Sequence, residues 1–223
     1  MINQTPNKII LFDIDNTIFN TVLYREKLFN NLATQLDFDS KIFSQIAKEE
    51  YALLRKKAHY LDPDSFLNSI IARSEKATNL EELQSVFWDK KLYESCVYPD
   101  VKKTFSYLIE TDIQIGIFST GHSTHQNTKI ESLKEYLSDN HIYISPNKIK
   151  IIKDTFTVYL NKKTYIIDDF PDILHEVKKH HINVFTIWIK RSNTSYNSTI
   201  PKNFKPDATI TDLYQLIDII KNQ

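Results

Sequence analysis

Glycine is scarce in this chain: among 223 residues only Gly116 and Gly121 are glycines. Phosphate-cradling loops of the Walker and dinucleotide-binding types each need several glycines within a few residues. The sequence therefore excludes both kinds of loop. Any phosphate group must instead be held by a metal ion, by side chains or by helix N-termini.

Cysteine, net charge and long apolar runs are also lacking. The single cysteine, Cys96, excludes an internal disulfide and suits a reducing compartment. Lys+Arg and Asp+Glu number 28 each, so no net charge attracts the chain to a nucleic acid polymer or a membrane surface. No apolar run reaches the length of a membrane span, and the N-terminus lacks the apolar segment of a signal peptide. We expect a soluble cytoplasmic protein.

What the chain does have is an alternation of strand and helix patterns. Residues 8–12 form an apolar run that predicts a strand buried on both faces, as in a parallel sheet. Further strands are predicted at residues 113–118, 165–167, 184–189 and 207–210, and helices at residues 101–110, 126–137, 171–181 and 212–221. Repeated units of this kind predict an α/β fold with a doubly wound parallel sheet.

Residues 20–96 break this alternation. They show one amphipathic helical pattern after another and no strand signal. We interpret them as an all-helical domain inserted after the first strand, placed as a cap over the active edge of the sheet. The core would then comprise residues 1–19 and 97–223.

Polar residues follow the predicted strands at the points where those strands end. Asp13 and Asp15 follow the first strand two residues apart, so that both can serve one site. Ser119 follows the strand at 113–118, and Asp168-Asp169 follows the strand at 165–167. The carboxyl ends of parallel strands meet at one edge, where ligands usually bind. Carboxylates there suit Mg²⁺, whereas the hydroxyl and a nearby lysine suit phosphate oxygens.

In this order the motifs resemble the four signatures of the haloacid dehalogenase-like (HAD) superfamily. The segment from Asp13 to Thr17 matches the first motif, DxDxT, and Ser119 matches the second. Lys153 is our match for the third motif, a lone lysine, and Asp168-Asp169 matches the fourth. The resemblance implies a Rossmann-like core with a helical cap of the C1 type. Dehalogenases of similar fold lack a carboxylate at the position of Asp15, so Asp15 favours the phosphatase branch.

The resemblance implies a role for each matched residue. Asp13 would be the nucleophile that forms an aspartyl phosphate, and Asp15 would protonate the leaving oxygen and later deprotonate water. Mg²⁺, the expected cofactor, would be bound by Asp13, the carbonyl of Asp15, and Asp169, with Asp168 assisting. The phosphoryl group is expected to contact Thr17, Ser119, Thr120 and Lys153. Tyr24 and Arg25, at the start of the cap, are expected to touch the substrate.

Several alternatives remain open at this point. Lys150, Lys162 and Lys163 compete with Lys153 for the lysine role, and we interpret His122, His125 and Arg55 as surface residues. The predicted function is Mg²⁺-dependent hydrolysis of a small phosphorylated metabolite, such as a sugar phosphate or a nucleotide, by a monomer or homodimer. The rival functions are a phosphomutase of the same superfamily, a phospho-acceptor protein and a phosphate-binding protein without turnover.

Overall fold

A parallel sheet forms the centre of the molecule. The computed structural model describes residues 7–58, 60–74, 76–192 and 200–222. Within these ranges six parallel strands lie in the order β3-β2-β1-β4-β5-β6. The strands are β1 (Lys8–Phe12), β2 (Ile113–Thr120), β3 (Ile142–Ser145), β4 (Lys163–Asp168), β5 (Phe185–Ile189) and β6 (Ala208–Ile210). The α/β class and the doubly wound parallel sheet predicted from the sequence are confirmed.

The first strand lies inside the sheet, between β2 and β4. Its residues from Ile9 to Phe12 are fully buried. Ile10 and Phe12 join the larger apolar core on one face, whereas Ile9 and Leu11 join a second core on the other face. A strand covered on both faces has no solvent-facing positions, and this explains why its sequence is a continuous apolar run.

Helices cover the sheet and fill the insertion. They are α1 (Thr21–Gln35), α2 (Ser40–Ala58), α3 (Pro63–Ala72), α4 (Leu80–Phe87), α5 (Lys90–Glu94), α6 (Val101–Glu110), α7 (Ser123–Ile130), α8 (Ile152–Thr157), α9 (Pro171–His180) and α10 (Tyr214–Lys221). The prediction of one helix over 126–137 is wrong at both ends. Helix α7 starts three residues earlier, and a 3₁₀ helix, Glu131–Tyr136, follows it. Within the described ranges, no helix is both long and apolar enough to cross a membrane.

Five of these helices, α1 to α5, form the helical segment between Thr21 and Glu94. Asn20 begins it, because its side chain accepts a hydrogen bond from the Leu23 amide at the first turn of α1. The segment has its own apolar interior, in which Phe29 packs against Phe66 with ring centroids 6.0 Å apart. The division into core (1–19, 97–223) and cap (20–96) stays a prediction. Residues 1–6, 59, 75, 193–199 and 223 of those ranges lie outside the described residues.

Gly116, one of the two glycines, lies where β2 is approached closely from two sides. A Cβ atom added there would lie 2.6 Å from the His141 carbonyl oxygen and 2.6 Å from a Leu11 side-chain carbon. Because backbone is one of the two obstacles, no side-chain rearrangement would make room for a larger residue. The glycine therefore allows the His141 backbone to pack closely against β2.

Candidate active site

Three carboxylates meet at the carboxyl edge of the sheet. Strands β1 and β4 pair in a register that sets Phe12 beside Ile167, so the next residues, Asp13 and Asp168, are neighbours. The backbone amide of Asp13 continues the pairing by donating to the Ile167 carbonyl at 2.9 Å. One carboxylate oxygen from each of Asp13, Asp168 and Asp169 lies within 4.8 Å of the others. Residues 155 positions apart are thus brought together by adjacent parallel strands.

Asp15 points to a second set of partners rather than into this acidic cluster. Asn16 has a left-handed backbone (φ 56°), which an asparagine tolerates better than most residues, and the chain turns sharply there. The Asp15 carboxylate accepts hydrogen bonds from Lys129 Nζ at 2.6 Å, Gln126 Nε2 at 2.8 Å and the Thr21 hydroxyl. Two of the three donors come from α7 and one from the first residue of α1. Asp15 therefore links the core to the helical segment.

The lysine that reaches the acidic cluster is Lys148. Its Nζ lies 2.6 Å from an Asp13 oxygen and 2.5 Å from an Asp168 oxygen, and the side chain is buried. Lys153, the residue chosen from the sequence, is exposed on α8 and does not line the cavity. The alternatives Lys150, Lys162 and Lys163 do not line it either. The choice of Lys153 is therefore corrected to Lys148.

The correction has a physical reason. Lys148 begins a short 3₁₀ helix, Lys148–Ile151, only three residues after the end of β3. Strand β3 was missed in the sequence because it has four half-buried residues and lies at the edge of the sheet. A signal was present, since the alternating segment Ile142–Ser145 precedes Pro146 and Asn147, two residues typical of turns. The lysine after that turn lies at the same sheet edge as the aspartates.

The hydroxyl residues after β1 and at the end of β2 differ in their placement relative to the acidic cluster. Ser119 is buried and donates to an Asp13 oxygen at 3.0 Å, and Thr120 lines the cavity. Thr17 is fully buried but does not line the cavity, and its carbonyl accepts from Arg191 at 2.7 Å. The structure thus brings Ser119 and Thr120 to the site and places Thr17 behind it.

The two residues expected to touch the substrate from the start of α1 face elsewhere. Tyr24 is buried in the helical segment, where its hydroxyl donates to the Tyr93 hydroxyl at 2.9 Å. Arg25 donates to the Thr21 carbonyl at 3.3 Å and lies over the ring of Tyr51. Neither residue lines the cavity, so this expectation is corrected. Helix α1 directs its first residue, Thr21, to Asp15, and it directs Tyr24 into the interior of the helical segment.

Burial and crowding of charge shift the pKa values of the acidic cluster. Burial, reinforced by the neighbouring Asp13, raises the pKa of Asp168 to about 7 even though Lys148 acts in the opposite direction. Burial also raises the pKa of Asp13, and burial with the Asp13 and Asp168 charges raises that of Asp169. Burial disfavours the ammonium form of Lys148, but the two carboxylates raise its pKa above the ordinary value. With all three carboxylates ionised, the cluster would carry more negative charge than one lysine neutralises, and the raised pKa values oppose that state.

These carboxylates fit a hard divalent cation. Hard oxygen ligands are what Mg²⁺ prefers, and three carboxylate oxygens converge here. Burial and mutual repulsion raise the pKa values of these carboxylates, and a bound cation would favour their ionised forms. Asp13, Asp168 and Asp169 are the residues able to hold it.

The surroundings of Asp15 lower its pKa, in contrast to those of the three carboxylates in the acidic cluster. Burial disfavours its charge, but the Lys129 ammonium and the hydrogen bonds from Lys129, Thr21 and Gln126 hold its pKa well below the usual range. Lys129 is itself buried, and its ammonium bonds to Asp15. Two aspartates separated by a single residue in sequence thus have pKa values shifted in opposite directions. Two neighbouring groups whose pKa values are shifted apart are typical of pairs with different chemical roles.

The acidic cluster forms one end of a cavity of about 360 Å³ between the sheet edge and the helical segment. Its walls include Asp15 and Lys148 from the core and Tyr51, Arg55, Tyr60 and Leu61 from the helical segment. His122, His125 and Arg55, interpreted above as surface residues, also line it, and His125 is buried. Charged and polar side chains from the core and the helical segment converge on this cavity, whose size is typical of a small-molecule site.

Comparison with known proteins identifies the family. The model of the haloacid dehalogenase-like hydrolase family matches residues 7–185, which include the acidic cluster, Lys148 and the helical segment. The chain belongs to this family. It is therefore a HAD-like hydrolase, and the resemblance inferred from the motifs is confirmed. A search of curated proteins found no significant match.

Solved structures agree with this fold. A HAD-like hydrolase from Burkholderia xenovorans LB400 is 20% identical, with a TM-score of 0.73 and coverage of 95% of this chain and 98% of that one. A HAD phosphatase from Thermococcus onnurineus is 21% identical, with a TM-score of 0.57 and coverage of 96% and 97%. The defluorinating L-2-haloacid dehalogenase Rha0230 is 12% identical, with a TM-score of 0.71 and coverage of 96% and 95%. Phosphatases and dehalogenases thus share this architecture.

Proposed function

We propose that this HAD-like hydrolase is a Mg²⁺-dependent phosphatase that hydrolyses small phosphate monoesters through an aspartyl phosphate on Asp13. The observation that carries the proposal is the Asp15 carboxylate, held by Lys129 and Gln126 at the cavity that contains Asp13. Displacing a halide requires no proton donor for the leaving group, whereas displacing an alkoxide does. A carboxylate fixed at this point therefore favours phosphate chemistry over dehalogenation.

In the first step an Asp13 oxygen attacks phosphorus and the bond from phosphorus to the ester oxygen breaks. Asp15 gives its proton to that oxygen, so the organic part leaves as an alcohol. Asp15 must be protonated for this step, and the charge of a bound phosphate dianion favours the protonated form. The buried Ser119 hydroxyl and the Lys148 ammonium, both bonded to Asp13, are placed to contact the phosphoryl oxygens.

In the second step water attacks the aspartyl phosphate. Asp15, now a carboxylate, accepts the proton from that water, and inorganic phosphate leaves as Asp13 is restored. The contacts from Lys129, Gln126 and Thr21 favour the ionised form that this step needs. Mg²⁺, held by Asp13, Asp168, Asp169 and the Asp15 carbonyl, would offset the charge of the phosphate when bound. Splitting one displacement into two is the advantage of a carboxylate nucleophile.

The test is turnover of 4-nitrophenyl phosphate by the purified chain with MgCl₂, with EDTA as the metal-free comparison. We expect Mg²⁺-dependent release of phosphate, loss of turnover in Asp13→Asn, and no loss in the matched control Asp172→Asn. Asp172 is exposed at the start of α9 and does not line the cavity. Undiminished turnover in Asp13→Asn would refute the assignment of the nucleophile.

A parallel assay of halide release from 2-chloropropionate and fluoroacetate tests the rival chemistry. Halide release without phosphatase activity would replace the proposal with a dehalogenase function. A phosphomutase would instead interconvert sugar phosphates in the presence of a bisphosphate activator. We expect neither activity to approach the phosphatase rate.

A further inference from the structure

The cavity has walls of two kinds. Asp13, Asp15 and Lys148 line it with charged groups, and Arg55 adds a charge from the helical segment. A further part of the lining consists of rings and aliphatic side chains. The described residues of this apolar part are Tyr51, Tyr60, Leu61, His122, Phe170 and Ile173. We call this set the apolar wall. With the phosphoryl group at Asp13, the organic part of a substrate in this cavity can contact the apolar wall.

The apolar wall is built from both parts of the molecule. Tyr51 lies on α2 and Tyr60 and Leu61 lie just before α3, whereas Phe170 and Ile173 come from the start of α9 in the core. Tyr60 and His122 meet across this junction, with ring centroids 6.2 Å apart. A substrate in the cavity therefore contacts apolar groups from two directions.

A buried imidazole adds a hydrogen-bonding group to the same cavity. His125 is buried among Tyr24, Phe87, Trp88 and Tyr93, with ring centroids 5.3–6.1 Å from its own. Its Nε2 has no hydrogen-bond partner within the described residues. Burial, with the nearby Lys129 charge, holds the pKa of His125 well below the ordinary value, so the ring is neutral. A neutral imidazole donates to or accepts from an uncharged heteroatom.

The chemistry of these walls selects between classes of organic group. The hydroxyls of an open-chain or hexose phosphate would lose hydrogen bonds to water against Leu61, Phe170 and Ile173, which offer no polar side-chain atom in return. A planar heteroaromatic ring loses little there, because ring stacking on aromatic side chains is favourable and largely independent of the base. The difference favours a ring-bearing ester.

We propose that the site, on the basis of the phosphatase function proposed above, acts on phosphate monoesters whose organic part carries a planar heteroaromatic ring, with nucleoside monophosphates as the representative class. Tyr60 is the specificity residue that distinguishes this class. It lies at the junction between the helical segment and the core, and it is half-buried, so removing its ring costs little packing.

Steady-state kinetics on a panel of esters tests the proposal. We expect kcat/KM for uridine and adenosine 5′-monophosphates to exceed that for glucose 6-phosphate at least tenfold. Tyr60→Ala should lower the ratio of kcat/KM for uridine monophosphate to that for acetyl phosphate by about tenfold. Tyr60→Phe, which keeps the ring, should retain the ratio, as should Tyr214→Ala, an exposed tyrosine on α10 outside the cavity. Equal or better use of glucose 6-phosphate, or an unchanged ratio in Tyr60→Ala, would overturn the proposal.

Binding measured without turnover separates this proposal from the phosphatase function. Calorimetric titration of the wild-type protein in EDTA should show uridine monophosphate binding at least tenfold more tightly than glucose 6-phosphate. Tyr60→Ala should remove most of that preference, and its thermal unfolding shows whether it is folded. If acetyl phosphate and every ester resist hydrolysis, the phosphatase function fails, while the titration still decides the ligand class. Equal binding of the two probes would overturn the inference even in an active phosphatase.

Discussion

The ammonium nitrogen of Lys148 lies 2.6 Å from a carboxylate oxygen of Asp13, although the two residues are 135 positions apart in the chain. The same nitrogen bonds to Asp168, so one buried cation joins the residue that follows β1 to the last residue of β4. If Asp13 is the nucleophile, Lys148 is placed to hold both the nucleophile and the phosphoryl oxygens. It also offsets part of the negative charge that makes the cluster costly to bury.

Lys148→Met therefore removes the ammonium group that contacts Asp13, the proposed nucleophile, and Asp168. We expect kcat on 4-nitrophenyl phosphate to fall by about 100-fold or more, the usual loss when one such donor is removed. Lys153→Met is the matched control, because Lys153 is exposed on α8, and its activity should stay within about twofold of wild type. Thermal unfolding by circular dichroism shows that each variant is folded. Equal effects of the two substitutions would contradict the assignment of Lys148.

The contrast between these lysines shows how far the sequence predicts the site. Asp13, Ser119 and Asp168 could be located because each follows an apolar strand that is recognisable by itself, and parallel pairing brings such ends together. Lys148 could not be located in this way. It follows β3, an edge strand of four residues whose half-buried positions give little apolar signal. The fold was predictable wherever burial on both faces produces long apolar runs.

The helical segment shows the other limit of sequence reasoning. Its helical character follows from amphipathic patterns and from capping residues such as Asn20 and Asp62. The same patterns do not predict which face of each helix lines the cavity. Tyr24 and Arg25 follow the first motif closely in sequence, but their side chains do not line the cavity. Tyr60 and Leu61 reach the cavity from a connection between helices. Contacts between separate segments depend on packing geometry, which local patterns do not encode.

The raised pKa of Asp169 makes stability depend on pH. Burial and the Asp13 and Asp168 charges raise this pKa well above 3.8, whereas in the unfolded chain the carboxyl titrates near that value. Between the two pKa values the native state retains a proton that the unfolded state has lost. The free energy of unfolding therefore falls as pH rises through this window. Asp169→Asn removes the titrating group and with it this loss of stability.

We expect metal-free Asp169→Asn to melt at a higher temperature than wild type at pH 8, with a smaller difference at pH 4.5. One kcal/mol shifts Tm by about 2–4 °C in a chain of this size, so the difference at pH 8 should reach several degrees. His125 and the other titrating groups outside the acidic cluster are common to both proteins, and their effects cancel in the comparison. Loss of the Asp169 charge also relieves repulsion on Asp13 and Asp168, which acts in the same direction. Addition of MgCl₂ at pH 8 should stabilise wild type more than the variant. A difference that shrinks as pH rises would contradict the prediction.

The proposed role of Asp15 as proton donor predicts that the effect of its substitution depends on the leaving group. A nitrophenolate leaves readily without a proton, whereas an alkoxide does not. Asp15→Asn should therefore lower kcat for an alkyl phosphate by about 100- to 10,000-fold, the range for a lost general acid. The loss on 4-nitrophenyl phosphate should be smaller and confined to the hydrolysis of the aspartyl phosphate. Equal losses on both substrates would assign Asp15 to the second step alone.

Substitution of Lys129 should also reduce turnover, because its ammonium nitrogen lies 2.6 Å from an Asp15 carboxylate oxygen and positions that carboxylate. We expect Lys129→Met to lower kcat by about tenfold while KM changes little, since Lys129 orients Asp15 rather than the bound phosphate. Lys134→Met provides the control. Lys134 lies in the 3₁₀ helix that follows α7, is about half exposed and pairs with Glu131. A change in KM alone would indicate that Lys129 acts on substrate binding instead.

The last prediction concerns the buried ion pair of Arg191 and Asp100, which contacts the backbone of the first motif at Thr17. Arg191 donates to both oxygens of Asp100 at 2.6 and 3.1 Å and to the Thr17 carbonyl at 2.7 Å. Asp100 also accepts from the Leu213 amide at 2.7 Å, so the pair ties three separate parts of the core together. Removal of one partner leaves a buried charge uncompensated, which typically costs about 3–5 kcal/mol.

Arg191→Met should therefore lower the free energy of unfolding by about 3–5 kcal/mol in urea denaturation. The control is Lys179→Met, which breaks the surface pair with Glu176 and should cost less than about 1 kcal/mol. Combining Arg191→Met with Asp100→Leu should recover part of the loss, because no charge then remains buried without a partner. If the double variant is as unstable as the sum of the two single variants, the destabilisation comes from lost packing rather than from the orphaned Asp100 carboxylate.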